Sequence, residues 1–201
     1  MATTMSIKAP ATLEPVDTQQ RPGLIPHGLF GMAIFVIAEI IFFAGMISAF
    51  LIAKTSAIGA WPPPGQPRLP VESTALNTLA LLASGVMLVV AHRAFRRQQA
   101  SARTPLLLAI GLGGFFVLFQ GVEWVSLLRE GLTLTSSNHG SFFYFIVGMH
   151  ALHAVAALAA LIYVYIALLR RRLFPSRFYA AELFWYFVVC LWPVLYWQVY
   201  L

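Results

Sequence analysis

Four ionisable side chains lie inside long apolar segments and are the first candidates for chemistry: Glu39, Glu123, His150 and His153. Only 10% of the 201 residues are charged, whereas 60% are hydrophobic. An ionisable group inside a lipid bilayer is energetically costly unless it has a partner or carries out a function. We therefore predict that these four residues form a buried polar cluster on which function depends.

The spacing of these residues predicts how they pair. His150 and His153 are three residues apart, so they lie on the same face of a helix. At about 1.5 Å per residue, Glu39 and His153 come to a similar depth, and Glu123 and His150 share a second level. A hydrogen bond between helices would give each group a partner in hydrocarbon. The sequence therefore predicts two pairs, Glu39 with His153 and Glu123 with His150.

Metal binding, haem binding and proton transport are the alternative chemistries for these groups. Histidine and carboxylate are suitable ligands for iron or zinc, but the sequence lacks the paired Glu-x-x-His motifs of a di-iron bundle. A bis-histidine haem would require His27 and His92 on two facing helices. Cys190 is the single cysteine, which excludes a disulfide or a two-cysteine copper site within the chain. Glu39 is a candidate proton carrier, because burial disfavours its charged form.

The segments that position these groups are five apolar stretches, each close to the roughly 20 residues that a spanning helix requires. They cover residues 28–53, 76–95, 105–128, 142–169 and 180–200. The mean hydropathy of +0.79 leaves little room for a soluble domain. The runs are too long and too uniformly apolar for barrel strands. The prediction is an all-α polytopic membrane protein, with residues 25–201 forming a bundle of five transmembrane helices.

The segments outside these helices are a polar tail and one long loop. Residues 1–24 have no apolar core, so we predict a mobile tail rather than a cleaved signal peptide. The loop of residues 54–73 contains Trp61 followed by three prolines, which hold the chain extended. The sequence predicts a fixed strap, with Trp61 at the level of the lipid headgroups.

The basic residues predict the orientation in the membrane. Ten of the 13 fall on the side that carries the N-terminus and the second and fourth loops. They are Lys8, Arg21, Arg93, Arg96, Arg97, Arg103, Arg170, Arg171, Arg172 and Arg177, against Lys54, Arg68 and Arg129 on the other side. An excess of Lys and Arg marks the cytoplasmic side. We expect a cytoplasmic N-terminus and a periplasmic C-terminus, and the net charge of +6 reflects topology rather than nucleic-acid binding.

An ordered set of short motifs runs along the chain from residue 31 to residue 196. The set comprises Gly31-Met32, Ala38-Glu39, Phe42-Phe43, Trp61-Pro62-Pro63, Leu76-Asn77-Thr78, His92, Gln120, Glu123, Gly148-Met149-His150-Ala151-Leu152-His153, Glu182, Trp185, Trp192 and Tyr196. In this order the sequence resembles subunit III of the haem–copper respiratory oxidases, cytochrome c oxidase subunit III, in its five-helix bacterial form.

The resemblance implies a function that this chain performs without a cofactor or a catalytic residue of its own. Subunit III packs against subunit I, whose haem–copper centre reduces oxygen to water and pumps protons. It stabilises that centre over many turnovers, supports proton entry and binds phospholipid. The implied location is the bacterial inner (plasma) membrane, with other oxidase subunits and lipids as partners. The family-matching residues are Glu39, the polar cluster of Glu123, His150 and His153, and also Trp61, His92, Gln120, Glu182 and Trp185.

Three departures from the family pattern lie in the fifth helix or before the first. The seven-helix form has two further helices at its start. The family usually has a histidine and an aspartate where this chain has Tyr186 and Val189. Pro193 is unusual and should kink the helix. The dense inner aromatics of this helix also predict packing against a partner subunit.

Two other functions compete with the oxidase interpretation. The first is a stand-alone carrier that moves protons or a small solute through Glu39, His150 and His153. The second is a haem-b anchor for a membrane dehydrogenase that uses His27 and His92. Five helices give no even pair of inverted repeats, which disfavours the carrier.

Overall fold

The computed structural model describes residues 27–57, 59 and 61–200, so the predicted tail of residues 1–24 lies outside the described residues. Five long helices account for most of the described chain: α1 (His27–Thr55), α2 (Val71–Arg97), α3 (Arg103–Arg129), α4 (Asn138–Leu169) and α5 (Pro175–Leu195). Each is long and apolar enough to cross a membrane. The prediction of an all-α, five-helix membrane protein is confirmed.

Several helices extend beyond the apolar stretches that predicted them. α2 begins at Val71 and α5 at Pro175, about one turn before residues 76 and 180. Proline suits the first turn of a helix because its missing N–H has no intrahelical partner there. Ser137 caps α4 by accepting a hydrogen bond of 3.0 Å from the backbone N–H of Gly140. Polar first turns therefore continue the helices past the hydrocarbon region.

The helices are arranged around α5, which contacts α1, α2 and α4. α2 packs along α3, α5 contacts α2 and α4, and α1 rests mainly on α5 with a smaller contact to α4. We call the end at which α1 ends and α2 begins the loop end, and the opposite one the arginine end. At the loop end, the Tyr196 hydroxyl donates to the backbone oxygen of Val71, 3.0 Å away. The antiparallel order brings the end of α5 beside the start of α2.

Two buried tryptophans of α5 join this helix to α2 by hydrogen bonds. The Trp185 indole N–H donates to Ser84 Oγ at 3.0 Å, and Ser84 donates to the backbone oxygen of Ala109 at 2.8 Å. The Trp192 indole N–H donates to Thr78 Oγ1 at 2.8 Å. Both tryptophans are fully buried within this chain. The expectation that the inner aromatics of α5 face a partner subunit is wrong for these two, because they fill the core of their own bundle.

The Trp185 ring of α5 lies against the backbone of α3 at Gly113. A Cβ atom at this position would lie 2.4 Å from Cζ2 of Trp185. The absent side chain therefore makes the space in which the indole ring lies.

The proline of α5 does not end the helix. α5 continues through Pro193 to Leu195, and a single π-helical turn, Tyr196–Tyr200, follows. The backbone N–H of Tyr196 reaches the carbonyl oxygens of Trp192 and Pro193. The wider turn brings Tyr200 back into the buried core.

The loop between α1 and α2 packs onto the ends of the helices. The Trp61 ring meets Phe50 of α1 edge-on, with ring centroids 5.9 Å apart, and meets His139 of α4 at 5.5 Å. Trp61 is half-buried, so part of its ring packs on the protein, and its location at the lipid headgroups stays a prediction.

Candidate functional site

Glu39 and His153 meet between α1 and α4 as the sequence predicts. Nε2 of His153 lies 3.1 Å from Oε2 of Glu39. The contact is close in distance but is not aligned as a hydrogen bond, since Oε2 has no donor of good geometry among the described residues. The predicted proximity of Glu39 and His153 is confirmed, whereas the predicted hydrogen bond between them is not formed.

The other ring nitrogen of His153, Nδ1, also lies close to an oxygen atom. Nδ1 lies 2.7 Å from the backbone oxygen of Met149, one turn earlier in α4. A carbonyl oxygen only accepts, so Nδ1 carries a hydrogen and donates it. Nε2 is therefore the ring nitrogen that faces the Glu39 carboxyl.

The surroundings of the pair are aromatic on the inside and open on the outside. Around His153 lie the rings of Phe43, Phe35 and Phe187, with centroids 5.5 to 6.2 Å away. The Glu39 side chain keeps 19% of its surface, and its neighbour Ile40 is exposed. The carboxyl therefore lies at the edge of the bundle, where the membrane or another subunit would cover it.

Glu123 belongs to a different network, and its predicted pairing with His150 is wrong. Its carboxylate accepts from Ser73 Oγ in a short contact, from Thr74 Oγ1 at 2.9 Å, and from Gln120 Nε2 at 3.1 Å. Gln120 Nε2 also donates to the Tyr200 hydroxyl at 3.0 Å. The prediction was wrong about the helix that the Glu123 side chain faces. Glu123 points to α2, the closest neighbour of α3.

His150 packs against an aromatic ring instead. Its ring stacks on Trp192 with centroids 5.0 Å apart, and it is 1% exposed. Neither ring nitrogen has a hydrogen-bond partner within the described part of the chain. Of the four predicted residues, the structure therefore joins only Glu39 and His153 directly, while Glu123 and His150 lie in separate environments.

A third polar group lies at the arginine end. Nδ1 of His92 is 2.8 Å from Oε2 of Glu182, and the Tyr186 hydroxyl donates to Oε1 of the same carboxylate at 2.9 Å. Glu182 is buried, and His92 is about one third exposed. This group connects α2 to α5.

Comparison with known proteins identifies the family. The family model described as "Cytochrome c oxidase subunit III" matches residues 18–201. The subunit 3 of Equus caballus cytochrome c oxidase is 34% identical over 187 residues, covering 88% of this chain and 70% of the relative. The Papio hamadryas protein is 37% identical over 183 residues, covering 85% of this chain and 68% of the relative. The chain belongs to the cytochrome c oxidase subunit III family.

In this subunit III family member, Tyr186 and Val189 stand where a histidine and an aspartate are expected, and both have partners within the bundle. The Tyr186 hydroxyl donates to Glu182. Val189 packs against α2, since a Cβ atom at Gly85 would lie 3.0 Å from its Cγ1. Tyr186 therefore makes a polar contact and Val189 an apolar one.

Sequence reasoning missed the role of the polar residues of α2 in this subunit III-like fold, although Asn77 and Thr78 belong to the motif set. The polar residues are Ser73, Thr74, Asn77, Thr78 and Ser84, most of them buried. Asn77 Nδ2 donates to the backbone oxygen of Phe116 at 3.1 Å. The spacing of three residues from Thr74 to Asn77 and of four from Thr74 to Thr78, along an apolar helix, was the available signal.

The described residues contain no group of three His, Cys, Asp or Glu side chains placed to hold a metal ion. The side chain of His27, one of the two residues considered for haem, lies outside the described residues, and His92 contacts Glu182. That haem and copper reside on partner subunits and not on this chain stays a prediction.

Proposed function

We propose that this chain is a non-redox accessory subunit of a bacterial haem–copper terminal oxidase. In this role it stabilises catalytic subunit I, its main contact, during electron transfer to oxygen and coupled proton pumping. The family match over residues 18–201 carries the proposal. The relatives are named as subunits of cytochrome c oxidase, and they share about a third of their residues with this chain.

The connections of the buried polar groups support an accessory rather than a redox role. Glu123 is surrounded by hydroxyl and amide donors, and Glu182 by His92 and Tyr186. Both carboxylates join α2 to another helix, which gives polar atoms partners in a medium that supplies none. These groups stabilise helix packing, as expected of a subunit that supports the chemistry of another chain.

The outer surface supports assembly within a membrane. α1 presents large apolar side chains outward, among them Phe30, Ile34, Ile37 and Ile41, each more than half exposed. Such a surface requires lipid tails or the helices of a neighbouring subunit. We propose that subunit I and phospholipid cover it, and that the complex lies in the bacterial inner membrane.

The arginine end supports a cytoplasmic N-terminus. Arg93, Arg96 and Arg97 end α2, Arg103 begins α3, and residues 170–172 follow α4. All lie at the end from which α1 starts. Because Lys and Arg concentrate on the cytoplasmic side, we propose that this end faces the cytoplasm and that α5 ends in the periplasm.

We propose that the Glu39–His153 pair supports proton uptake. It lies at the edge of the bundle, with 19% of the Glu39 side chain uncovered. A group that exchanges a proton near subunit I would assist proton entry without being part of the oxygen-reducing centre. We propose this role for the pair, within the accessory function.

The proposal is tested by comparing the oxidase purified with and without this chain. The complex lacking the chain should keep its haem spectrum and most of its initial turnover, and should lose activity faster over successive turnovers. Loss of haem absorbance together with the chain would contradict the non-redox role. An unchanged decay of activity would contradict the stabilising role.

A further inference from the structure

A cavity of about 330 Å³ lies at the loop end, next to the loop that contains Trp61. The ends of four helices border it, through Lys54 of α1, Val71 of α2, His139 of α4, and Val199 and Tyr200 after α5. The last three of these residues are buried and form its floor. Its most exposed lining residues, Pro62 and Arg68, belong to the loop. A ligand therefore reaches the cavity from the aqueous side of the loop, since helix ends close it toward the hydrocarbon.

Lys54 and Arg68 bring two positive charges to this cavity, and neither has an acidic partner. Neither cation forms an ion pair within 4.0 Å in the described part of the chain. The Lys54 ammonium lies 5.9 Å from the centroid of the Phe50 ring, a contact that leaves its hydrogen-bond donors free. None of the three carboxylates described at the loop end lines the cavity; they are Glu72, Glu123 and Glu130. The cavity therefore carries positive charge that its own lining does not neutralise.

The rim of the cavity adds apolar and aromatic surface to these charges. Trp61, Pro62 and Leu69 line it, and Trp61 and Leu69 are only half-buried. Tryptophan and arginine are enriched at protein–protein interfaces, where they often supply much of the binding energy. A small soluble anion would use the two charges alone, whereas a peptide segment would also cover the apolar rim. The composition of the rim therefore favours a protein ligand.

We propose that this cavity receives an acidic side chain, Asp or Glu, from a periplasmic segment of an accompanying subunit. Lys54 and Arg68 donate to its carboxylate oxygens, and hydrogen bonds between charged groups are stronger than neutral ones. Trp61, Pro62 and Leu69 contact the apolar part of the same segment. The inference rests on the proposed function for the assembly with other subunits and for the periplasmic location of the loop end.

Cross-linking of the complex purified from its own membranes tests the contact directly. A water-soluble carbodiimide joins the Lys54 amine to a carboxylate that touches it, and mass spectrometry of the digested complex identifies the joined peptides. We expect Lys54 to be joined to an Asp or Glu of another subunit. Lys54→Arg keeps the charge but cannot form the amide, so it should lose this cross-link and keep the assembly. An intact complex without a cross-link from Lys54 to another chain would overturn the site.

Rebinding of the chain to the complex depleted of it measures the contribution of each cation. Lys54→Gln and Arg68→Gln should each rebind about fivefold more weakly, the effect of one exposed ion pair. Arg129→Gln is the matched control and should rebind as the wild type does. Arg129 is exposed in the last turn of α3 at the same end of the bundle and does not line the cavity. Equal losses in all three variants would contradict the site, because they would reflect total charge alone.

Competition with a small anion distinguishes a protein ligand from a soluble one. Inorganic phosphate at millimolar concentration, with ionic strength held constant, should leave both the cross-link and the rebinding unchanged. Loss of the cross-link under these conditions would overturn the proposal in favour of a soluble anion. The haem content of the same preparations reports separately on the oxidase proposal, since a haem-free complex with the cross-link would contradict that proposal and leave the site standing.

Discussion

Glu39 and Glu123 are both carboxylates in the membrane interior, and their surroundings differ in kind. Glu123 accepts hydrogen bonds from Ser73, Thr74 and Gln120 and is 8% exposed. Glu39 has a single close partner, His153, and lies at the edge of the bundle. Glu123 is held by neutral hydroxyl and amide donors, whereas Glu39 faces a histidine.

This difference distinguishes a carboxylate that joins two helices from one that lies at the edge of the bundle. Glu123 is enclosed by several donors and has its hydrogen bonds satisfied within the chain. Glu39 keeps 19% of its side-chain surface, and its Oε2 has no aligned hydrogen bond among the described residues. Position contributes to the contrast, because α3 packs along α2, whereas α1 contacts mainly α5 and to a smaller extent α4.

The largest expected effect is the loss of the Glu123 carboxylate. Glu123→Ala leaves the donors of Ser73, Thr74 and Gln120 without their acceptor, so we expect a loss of about 3 kcal/mol in the free energy of unfolding. Unfolding of the purified chain in mixed detergent micelles would measure it. Glu130→Ala is the matched control, since Glu130 is exposed at the same end and bonds only to Ser126. Equal effects of the two substitutions would show that the Glu123 network does not stabilise the fold.

The packing of the central helices gives the next effect. Gly113→Ala places a Cβ against the Trp185 ring, and overpacking of this kind costs about 2 kcal/mol. The adjacent Gly114→Ala meets nothing within 4 Å and should leave stability unchanged or slightly raised. Thermal unfolding of the two variants side by side distinguishes them. An equal loss of stability in Gly114→Ala and Gly113→Ala would show that the Trp185 ring does not lie against Gly113.

A double-mutant cycle tests the Glu39–His153 contact. Glu39→Met and His153→Leu should each lower stability, and the double variant should recover about 1 kcal/mol of the summed loss, because neither variant residue is left facing an unpaired polar group. The same micelle unfolding assay gives the three values. Strictly additive losses would show that the two side chains do not interact.

The smallest expected effect concerns the group at the arginine end. Tyr186→Phe removes one hydrogen bond to Glu182, which we expect to cost about 1 kcal/mol. Tyr179→Phe serves as the control, since the Tyr179 hydroxyl has no hydrogen-bond partner in the part of the chain that the structure describes. Equal thermal stability of the two variants would mean that the hydrogen bond from Tyr186 to Glu182 does not stabilise the fold.

The five helices could be predicted from the sequence, because a long apolar segment satisfies its backbone hydrogen bonds in a bilayer by forming a helix. Depth predicted that Glu39 and His153 share a level. The contact forms because α1 also lies beside α4. The same reasoning failed for Glu123 and His150, because depth does not fix which neighbouring helix a side chain faces. The helix that a side chain faces depends on which helices pack together. The partners of Glu123 on α2 are the hydroxyls of Ser73 and Thr74, which are uncharged and so did not stand out in the sequence as candidate partners.

The aromatic residues of α5 show a second limit of sequence reasoning. A dense aromatic helix fits an interface between subunits as well as a core, and composition does not separate the two. Trp185 and Trp192 are core residues because hydroxyls on α2 accept from their indole N–H groups. Trp197, in contrast, is 67% exposed and remains available to lipid or a partner.

The central claim is that this chain is a colourless subunit that assembles with a haem-bearing catalytic partner. Its most direct test is to purify the tagged chain from its own membranes in mild detergent, record a reduced-minus-oxidised spectrum and identify the proteins that accompany it. The account predicts a haem-rich complex whose largest member is subunit I, with the haem leaving in the fraction of that partner when the subunits are separated. A colourless protein without partners, or haem that stays with this chain, would contradict it.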